Sequence, residues 1–435
     1  MQRTTAVSKN PGIALGINLL VVLACFSYPI STVALLWTGL PTGSANFYLK
    51  AIYAAYYLFL FLVLVFRSSG ISNSSYALVL FLGIYAIRLL VDVLVFDISL
   101  VGYSQGHVML YYFGLVLLPV LVISSAHAFI DVVKLADWVF IALVLSNTLL
   151  VLFAFTSDDI NYQSFFSGRF QVDAGDDHER AILSPLTYGL HGASIAIFSL
   201  AKIATADKFS PIRLTVLFIF ASVGISNIML GASRGPLFSF VIALAILLYW
   251  LGNSRRSGSN QKKYAGRFFL LLLVPPAFLA LSSETFSSSF LFQRVASFIE
   301  ERQSGSIEGR DILLRSAISD FLNEPLLGSQ FTTKAQGDYP HNIPVEVLMA
   351  TGVVGGIVFL FALRNLVGSI RVMWRKSGPE LSLVLCGMCF LLYGMTSGSI
   401  HSSPEFWTFF ALFTVLGRRK LRVGRERLFA PPSHN

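Results

Sequence analysis

Long apolar segments alternate with short polar ones along almost the whole chain. Most of the apolar segments approach the roughly 20 residues that a helix needs to cross a bilayer, and they are too long for buried strands. The pattern predicts an all-α, polytopic bundle of about twelve membrane-spanning helices. The predicted spans are 13–38, 47–66, 76–96, 107–125, 136–156, 186–203, 213–231, 236–251, 268–283, 342–367, 381–397 and 405–417.

One polar segment, 284–340, is far longer than the connections of about 2 to 8 residues that usually join helices. Its periodicity predicts two helices lying over the membrane surface as a lid, one over 290–303 and one from about Gly309 to Asn323. The second should turn Ile312, Leu313, Ala317, Phe321 and Leu322 inward. The predicted organisation is spans one to nine in 1–283, a helical insert in 284–340, three spans in 341–417 and a basic tail in 418–435.

Charge is distributed unevenly between the two sets of loops. Most of the 32 Lys and Arg residues fall in alternate loops counted from the N-terminus, and in the tail. The positive-inside rule then predicts that both termini are cytoplasmic. The net charge of +9 is explained by basic loops on the cytoplasmic side, which face the anionic lipid of the inner leaflet. No nucleic-acid partner is therefore expected. The cysteines Cys25, Cys386 and Cys389 all fall in predicted spans, which excludes a disulfide framework.

The opposite loops are rich in Asp and Glu, and all but one of their few cations are arginine. A guanidinium binds phosphate or carboxylate through two parallel hydrogen bonds, so this bias predicts that the face binds an anion. The arginines are Arg169, Arg180, Arg234, Arg294, Arg302, Arg310 and Arg315. The acidic segment 173–179, with His178, resembles a metal cluster, but no second set of ligands accompanies it and no metal site is predicted.

Three of these arginines are candidate phosphate ligands. Arg180 stands where the chain re-enters the membrane, and Arg234 lies in a short turn between small residues, with Pro236 suited to the following helix. Arg310 is expected in the first turn of its helix, next to Gly309, where free backbone N–H groups also attract phosphate. The alternative for Arg180 and Arg234 is that each is an interfacial anchor.

His341 opens the tenth predicted span and is the candidate general base. The positive end of a helix disfavours a second cation, so the imidazole is expected to be neutral and able to accept a proton. Asn342 beside it, Glu346 one helical turn further and Arg315 on the insert are expected to support the site. The alternative is that His341 only anchors the helix at the interface. Arg88 and Asp92, spaced i, i+4 within a span, are expected to form a structural ion pair.

These motifs together resemble the C-terminal signature of the O-antigen ligase and O-antigen polymerase (Wzy-type) superfamily. The matching segments are Gly309-Arg310-Asp311, Asn323-Glu324-Pro325-Leu326-Leu327-Gly328, Pro340-His341-Asn342 and Ala350-Thr351-Gly352-Val353-Val354-Gly355-Gly356, with Ser233-Arg234-Gly235 in agreement. The resemblance implies metal-independent, inverting transfer of a glycan from a polyprenyl diphosphate to a sugar hydroxyl, at the periplasmic face of a bacterial inner membrane, without a cofactor. It assigns the diphosphate to Arg180, Arg234 and Arg310, and the general base to His341.

The partners implied are the polyprenyl (undecaprenyl) diphosphate-linked glycan, an acceptor glycan, membrane lipid and other polysaccharide assembly proteins. Polymerisation of lipid-linked repeat units is favoured, because loops that match the family poorly suit varied sugars. Ligation to lipid A core, transfer to a protein and transport of a lipid-linked oligosaccharide are alternatives. Tyr339 is the only aromatic residue in the segment 332–339 that could stack on a sugar, so the sequence does not locate the acceptor sugar.

Overall fold

The computed structural model describes residues 10–38, 42–67, 70–156, 184–205, 210–231, 233–253, 305–374 and 379–428. These residues form helices and connections, with no strand among them. The helices are α1 (Pro11–Thr38), α2 (Thr42–Phe66), α3 (Tyr76–Leu94), α4 (Gln105–Ser125), α5 (Val132–Thr156), α6 (Pro185–Thr205), α7 (Pro211–Gly231), α8 (Arg234–Asn253), α9 (Gly305–Asn323), α10 (Ile343–Trp374), α11 (Pro379–Ser397) and α12 (Pro404–Leu428).

The hydrophobic pattern is confirmed by the lengths of these helices. In the described part of the chain, ten helices are long and apolar enough to cross a membrane, and α12 adds the shorter apolar stretch Pro404–Gly417. Every predicted span except 268–283 lies on one of these helices, and that segment, like the predicted helix over 290–303, lies outside the described residues. The protein is therefore an all-α, multi-pass membrane protein.

The helices α5, α6 and α7 pack closely around small and amide side chains. A Cβ at Gly192 would lie 2.4 Å from the carbonyl oxygen of Gly224, so α6 and α7 approach backbone to backbone. Asn227 Nδ2 donates to Asn147 Oδ1 at 2.8 Å, which joins α7 to α5. Small residues and interhelical amide hydrogen bonds are typical of packing between helices in a bilayer.

The helix α9 is longer than its pattern predicts, and part of its predicted inner face is wrong. It begins at Gly305 rather than near Gly309, because a glycine inside a helix is tolerated at a cost of about 1 kcal/mol. Ile312 and Leu322 are 49% and 67% exposed. Ala317 is buried as predicted, and the packed face also contains Asp320. The Asp320 carboxylate accepts a hydrogen bond from the Lys334 backbone N–H at 2.9 Å.

Most of the polar chemistry lies at one end of the bundle, which we call the site end. There α1, α3, α5, α7 and α11 end, and α2, α4, α6, α8, α10 and α12 begin. The segment that follows α9 lies over this end, and the Val101 N–H after α3 donates to the Gly337 carbonyl at 3.1 Å. The candidate arginines and His341 therefore have to be sought here.

Candidate functional site

A break in α10 holds the segment that carries His341. Gly352 has a φ of 61°, so the helix is interrupted there, and Gly328 in the facing loop has a φ of 77°. The Val353 N–H donates to the Pro325 carbonyl at 2.8 Å, and the Ser329 N–H donates to the Met349 carbonyl at 2.7 Å. A Cβ at Gly352 would lie 2.4 Å from the Leu326 oxygen. Both glycines are thus required by a loop inserted into the helix break.

The ion pair in α3 fixes the same segment from below. Arg88 Nε lies 3.0 Å from Asp92 Oδ1, which confirms the predicted i, i+4 pair. The fully buried Asp92 carboxylate also accepts the Phe331 N–H at 2.8 Å. An intramembrane charge costs free energy unless it is paired. Here the paired carboxylate also accepts a hydrogen bond from a backbone N–H of a non-helical loop, which has no helical partner for that group.

His341 lies at the start of α10 in an unusual backbone conformation. Its φ is 53°, a left-handed value that is uncommon for residues other than glycine and concentrated at functional sites. The ring is half-buried, and its centroid lies 4.2 Å from that of Tyr339. Asn342 Oδ1 accepts the Val345 N–H at 3.1 Å, so this side chain caps α10 directly after the histidine.

Glu346 supports the site from inside the bundle. This buried carboxylate accepts hydrogen bonds from Tyr85 Oη at 2.9 Å, from Ser399 Oγ at 3.1 Å and from the Ile400 N–H at 2.9 Å. It thereby joins α10 to α3 and to the turn between α11 and α12. His401 from that turn packs edge-on against Tyr339, with ring centroids 5.4 Å apart. The carboxylate therefore positions the aromatic ring on which His341 rests.

Arg310 and the turn that carries Arg234 both lie against the last turn of α11. Arg310 Nη1 donates to Ser397 Oγ at 3.4 Å. A Cβ at Gly235, the neighbour of Arg234, would lie 3.4 Å from Tyr393 and 3.6 Å from Ser397 Oγ. Because α9 starts at Gly305, Arg310 lies in its second turn, so the prediction that it lies in the first turn is wrong.

The other candidates are not gathered at this point. Arg315 is 79% exposed and paired with Asp311 at 2.7 Å on the surface of α9. Arg180, His178 and the acidic segment 173–179 lie outside the described residues. Within the described part of the chain, no group of three or more His, Cys, Asp or Glu residues is placed to hold a metal ion.

A cavity of about 300 Å³ opens beside these groups at the site end. We call it the tyrosine cavity, because seven tyrosines line it: Tyr28, Tyr53, Tyr57, Tyr103, Tyr111, Tyr339 and Tyr393. Ser397, the partner of Arg310, lines it too. Tyr339 therefore contacts both the cavity and His341, as Ser397 contacts both the cavity and Arg310.

Sequence reasoning missed most of this cavity, including the charged residues Lys50 and Glu405 in its wall. A signal for Lys50 exists, since it is a lone lysine inside an apolar span, and such residues are a functional indication by default. Asn46, Lys50, Tyr53 and Tyr57 also recur on one face of α2. Tyr111 lies in the π-helical stretch Leu110–Leu117 of α4, a deviation frequent at functional sites.

Comparison with known proteins adds an independent finding. Residues 216–360 match the family model for O-antigen ligase (Wzy_C), a range that contains Arg234, Arg310, His341 and the helix break at Gly352. A search of curated proteins found no match. Over this range the resemblance drawn from the motifs is confirmed, and residues 216–360 of this membrane protein are similar to the O-antigen ligase family.

Proposed function

We propose that this protein polymerises lipid-linked polysaccharide repeat units, such as those of O-antigen or exopolysaccharide, by transferring a glycan from a polyprenyl diphosphate to an acceptor sugar hydroxyl. One observation carries the proposal. Arg310 bonds to Ser397 and His341 packs on Tyr339, two lining residues of one polar cavity at one end of a membrane bundle. Gly235, next to Arg234 in the chain, packs near the same Ser397. A glycosyl diphosphate requires these two kinds of group.

The arginines serve the leaving group. When the bond between the anomeric carbon and the diphosphate oxygen breaks, the electron pair and the charge go to the diphosphate. Guanidinium groups at Arg234 and Arg310 stabilise that charge, with Arg180 as a third proposed ligand. Stabilising a developing oxyanion in a site with little water is worth about 3 to 4 kcal/mol per donor, or 10² to 10³ in rate.

His341 serves the acceptor. The hydroxyl oxygen attacks the anomeric carbon from the face opposite the diphosphate, and its proton passes to the neutral imidazole, so the configuration at that carbon inverts. A positioned base typically contributes about 10² to 10⁴ in rate. Neither step uses a metal or a cofactor, and a chelator should leave the rate unchanged.

The bilayer supplies the rest of the arrangement. The lipid tail of the donor enters between the helices while its diphosphate stays at the site end. The family resemblance implies a bacterial inner membrane, and the distribution of basic loops supports cytoplasmic termini with the site end in the periplasm. Ligation of the glycan to lipid A core is the second candidate function, favoured by the description of the matched family.

Reconstituted transfer tests the proposal. The purified protein would be incubated with a lipid-linked repeat unit alone and then with lipid A core added, in the presence and absence of EDTA. Polymerisation predicts a ladder of lipid-linked products without core, and ligation predicts product only with core. A lack of transfer in both arms would refute a transferase function, and inhibition by EDTA would refute the metal-independent mechanism.

Matched variants separate the site from the surface. Arg310→Ala should lower the rate by about 10² or more, because a donor to the diphosphate is lost. Lys334→Ala removes another cation of the site end, but its partner Glu324 is exposed and such pairs contribute about 0 to 1 kcal/mol. The control should therefore keep the wild-type rate, and equal losses in both variants would contradict a specific role for Arg310.

A further inference from the structure

The tyrosine cavity contains two charges that the proposed mechanism does not use. Lys50 Nζ lies 4.3 Å from the centroid of the Tyr111 ring and 5.4 Å from that of Tyr28, and it donates a hydrogen bond to Tyr111 Oη. Glu405, at the start of α12, lines the same cavity and interacts with Lys50 through charge. Both residues are half-buried, and charges partly removed from water favour a partner or a ligand.

The two side chains do not form a direct ion pair with each other, although both are described. Lys50 is held by aromatic faces and a phenol, which leaves the Glu405 carboxylate able to accept further hydrogen bonds from a molecule in the cavity. Tyr57, another lining residue, is fully buried, and its hydroxyl has no hydrogen-bond partner within the described part of the chain. Such a group points to a ligand or to ordered water.

The lining combines flat aromatic faces with many small hydroxyl groups. Seven tyrosines alternate with the serines Ser27, Ser31, Ser184, Ser397, Ser399, Ser402 and Ser403. A sugar ring has apolar C–H faces that stack on tyrosine and an edge of hydroxyls that exchange hydrogen bonds with carboxylate, ammonium and hydroxyl groups. The cavity measures about 300 Å³, at the lower end of the roughly 300 to 1,000 Å³ of small-molecule sites. It suits a single ring better than an extended chain.

Charge then selects the kind of sugar. One ammonium and one carboxylate leave the described wall of the cavity neutral. A uronic acid would place a second carboxylate near Glu405, and like charges in a poorly solvated cavity repel strongly. We propose that the tyrosine cavity is a subsite for one neutral sugar of the glycan, with Glu405 and Lys50 as its specificity-determining residues. The assignment of this sugar to a transferred or receiving glycan rests on the proposed function.

Binding of simple glycosides tests the subsite without any lipid or transfer. The probes are methyl glycosides of glucose, galactose, mannose, rhamnose, N-acetylglucosamine and glucuronic acid, added to the full-length protein in detergent and followed by saturation-transfer NMR. At least one neutral glycoside should bind, and the glucuronide should bind at least about tenfold more weakly than it. Failure of every neutral glycoside, or tightest binding by the glucuronide, would overturn the proposal.

Variants locate the binding in the cavity. Glu405→Gln should weaken the best glycoside by about tenfold or more, since hydrogen bonds to a charged acceptor are the stronger kind. Glu324→Gln changes an exposed carboxylate at the same end and should leave binding unchanged. Ser31→Phe fills the cavity without removing a charge and should abolish binding, which keeps the test decisive if Glu405→Gln does not fold. Unaltered binding in a folded Glu405→Gln or Ser31→Phe protein would refute the assignment.

Inhibition of transfer distinguishes the two sources of the sugar. The bound glycoside should compete with the lipid-linked donor if the cavity holds the transferred glycan, and with the acceptor if it holds the receiving one. Inhibition that is competitive with neither would contradict the subsite. If glycosides bind but no transfer occurs, the proposed function fails and the sugar subsite stands. If transfer occurs without glycoside binding, the sugar subsite fails and the proposed function stands.

Discussion

The proposed binding of a diphosphate requires arginine rather than lysine at positions 234 and 310. The guanidinium offers a planar fork that matches two phosphate oxygens, whereas an ammonium is a point charge on a flexible stem. Arg310 already donates through Nη1 to Ser397, which directs the fork toward the cavity wall. Residue identity, and not charge alone, should therefore decide the rate.

Conservative replacement tests this at the residue scale. Arg234→Lys and Arg310→Lys should keep part of the activity, while Arg234→Ala and Arg310→Ala should each lose about 10² to 10³ in rate. Steady-state transfer by purified protein, with melting temperature as the folding control, measures the difference. Full activity in Arg234→Ala would show that this residue is an interfacial anchor.

At the scale of the element, the helix break at Gly352 decides where His341 lies. The break allows the loop 325–329 to exchange backbone hydrogen bonds with α10, and this loop leads into the segment that ends in His341. Sequence alone matched both glycine motifs to a family but gave no reason for them. The reason is steric, because either Cβ would overlap the backbone of the other segment.

Two glycines of the same helix make a matched test. Gly352→Ala introduces a Cβ at a φ of 61° and 2.4 Å from the Leu326 oxygen. It should therefore lower the free energy of unfolding by about 1 to 3 kcal/mol or more, and lower the transfer rate. Gly368→Ala meets nothing within 4 Å and should be neutral or stabilise α10 by up to about 1 kcal/mol. Unfolding in detergent measures both. Equal stability of the two variants would contradict the proposed packing of the break.

At the scale of the whole molecule, spans were predictable because bilayer thickness fixes their length and apolarity. The Arg88–Asp92 pair was predictable for a similar local reason, since i, i+4 spacing brings the two side chains together. The tyrosine cavity was not, because its wall comes from α1, α2, α4 and α6 together with the segments around α10, α11 and α12, and only tertiary packing brings these together. The exposed Ile312 on α9 shows the same limit for a short amphipathic pattern.

Topology can be measured on the whole molecule. The basic loops predict that the site end faces the periplasm, so a cysteine at Gln336 should react with an impermeant thiol reagent in intact cells. A cysteine at Lys134, at the start of α5, should react only after the cells are opened. Both positions are exposed, and the three native cysteines are buried, which keeps the background low. Labelling of Lys134→Cys alone in intact cells would reverse the orientation.

The transfer rate of the purified protein as a function of pH, measured beside that of His341→Gln, shows directly whether His341 is the general base. A general base works only when neutral, so the wild-type rate should rise with pH as the imidazole loses its proton, and then level off. His341→Gln should lose about 10² to 10⁴ in rate and the pH dependence with it, yet still bind the lipid-linked donor. A variant that keeps both the wild-type rate and its pH profile would contradict the account.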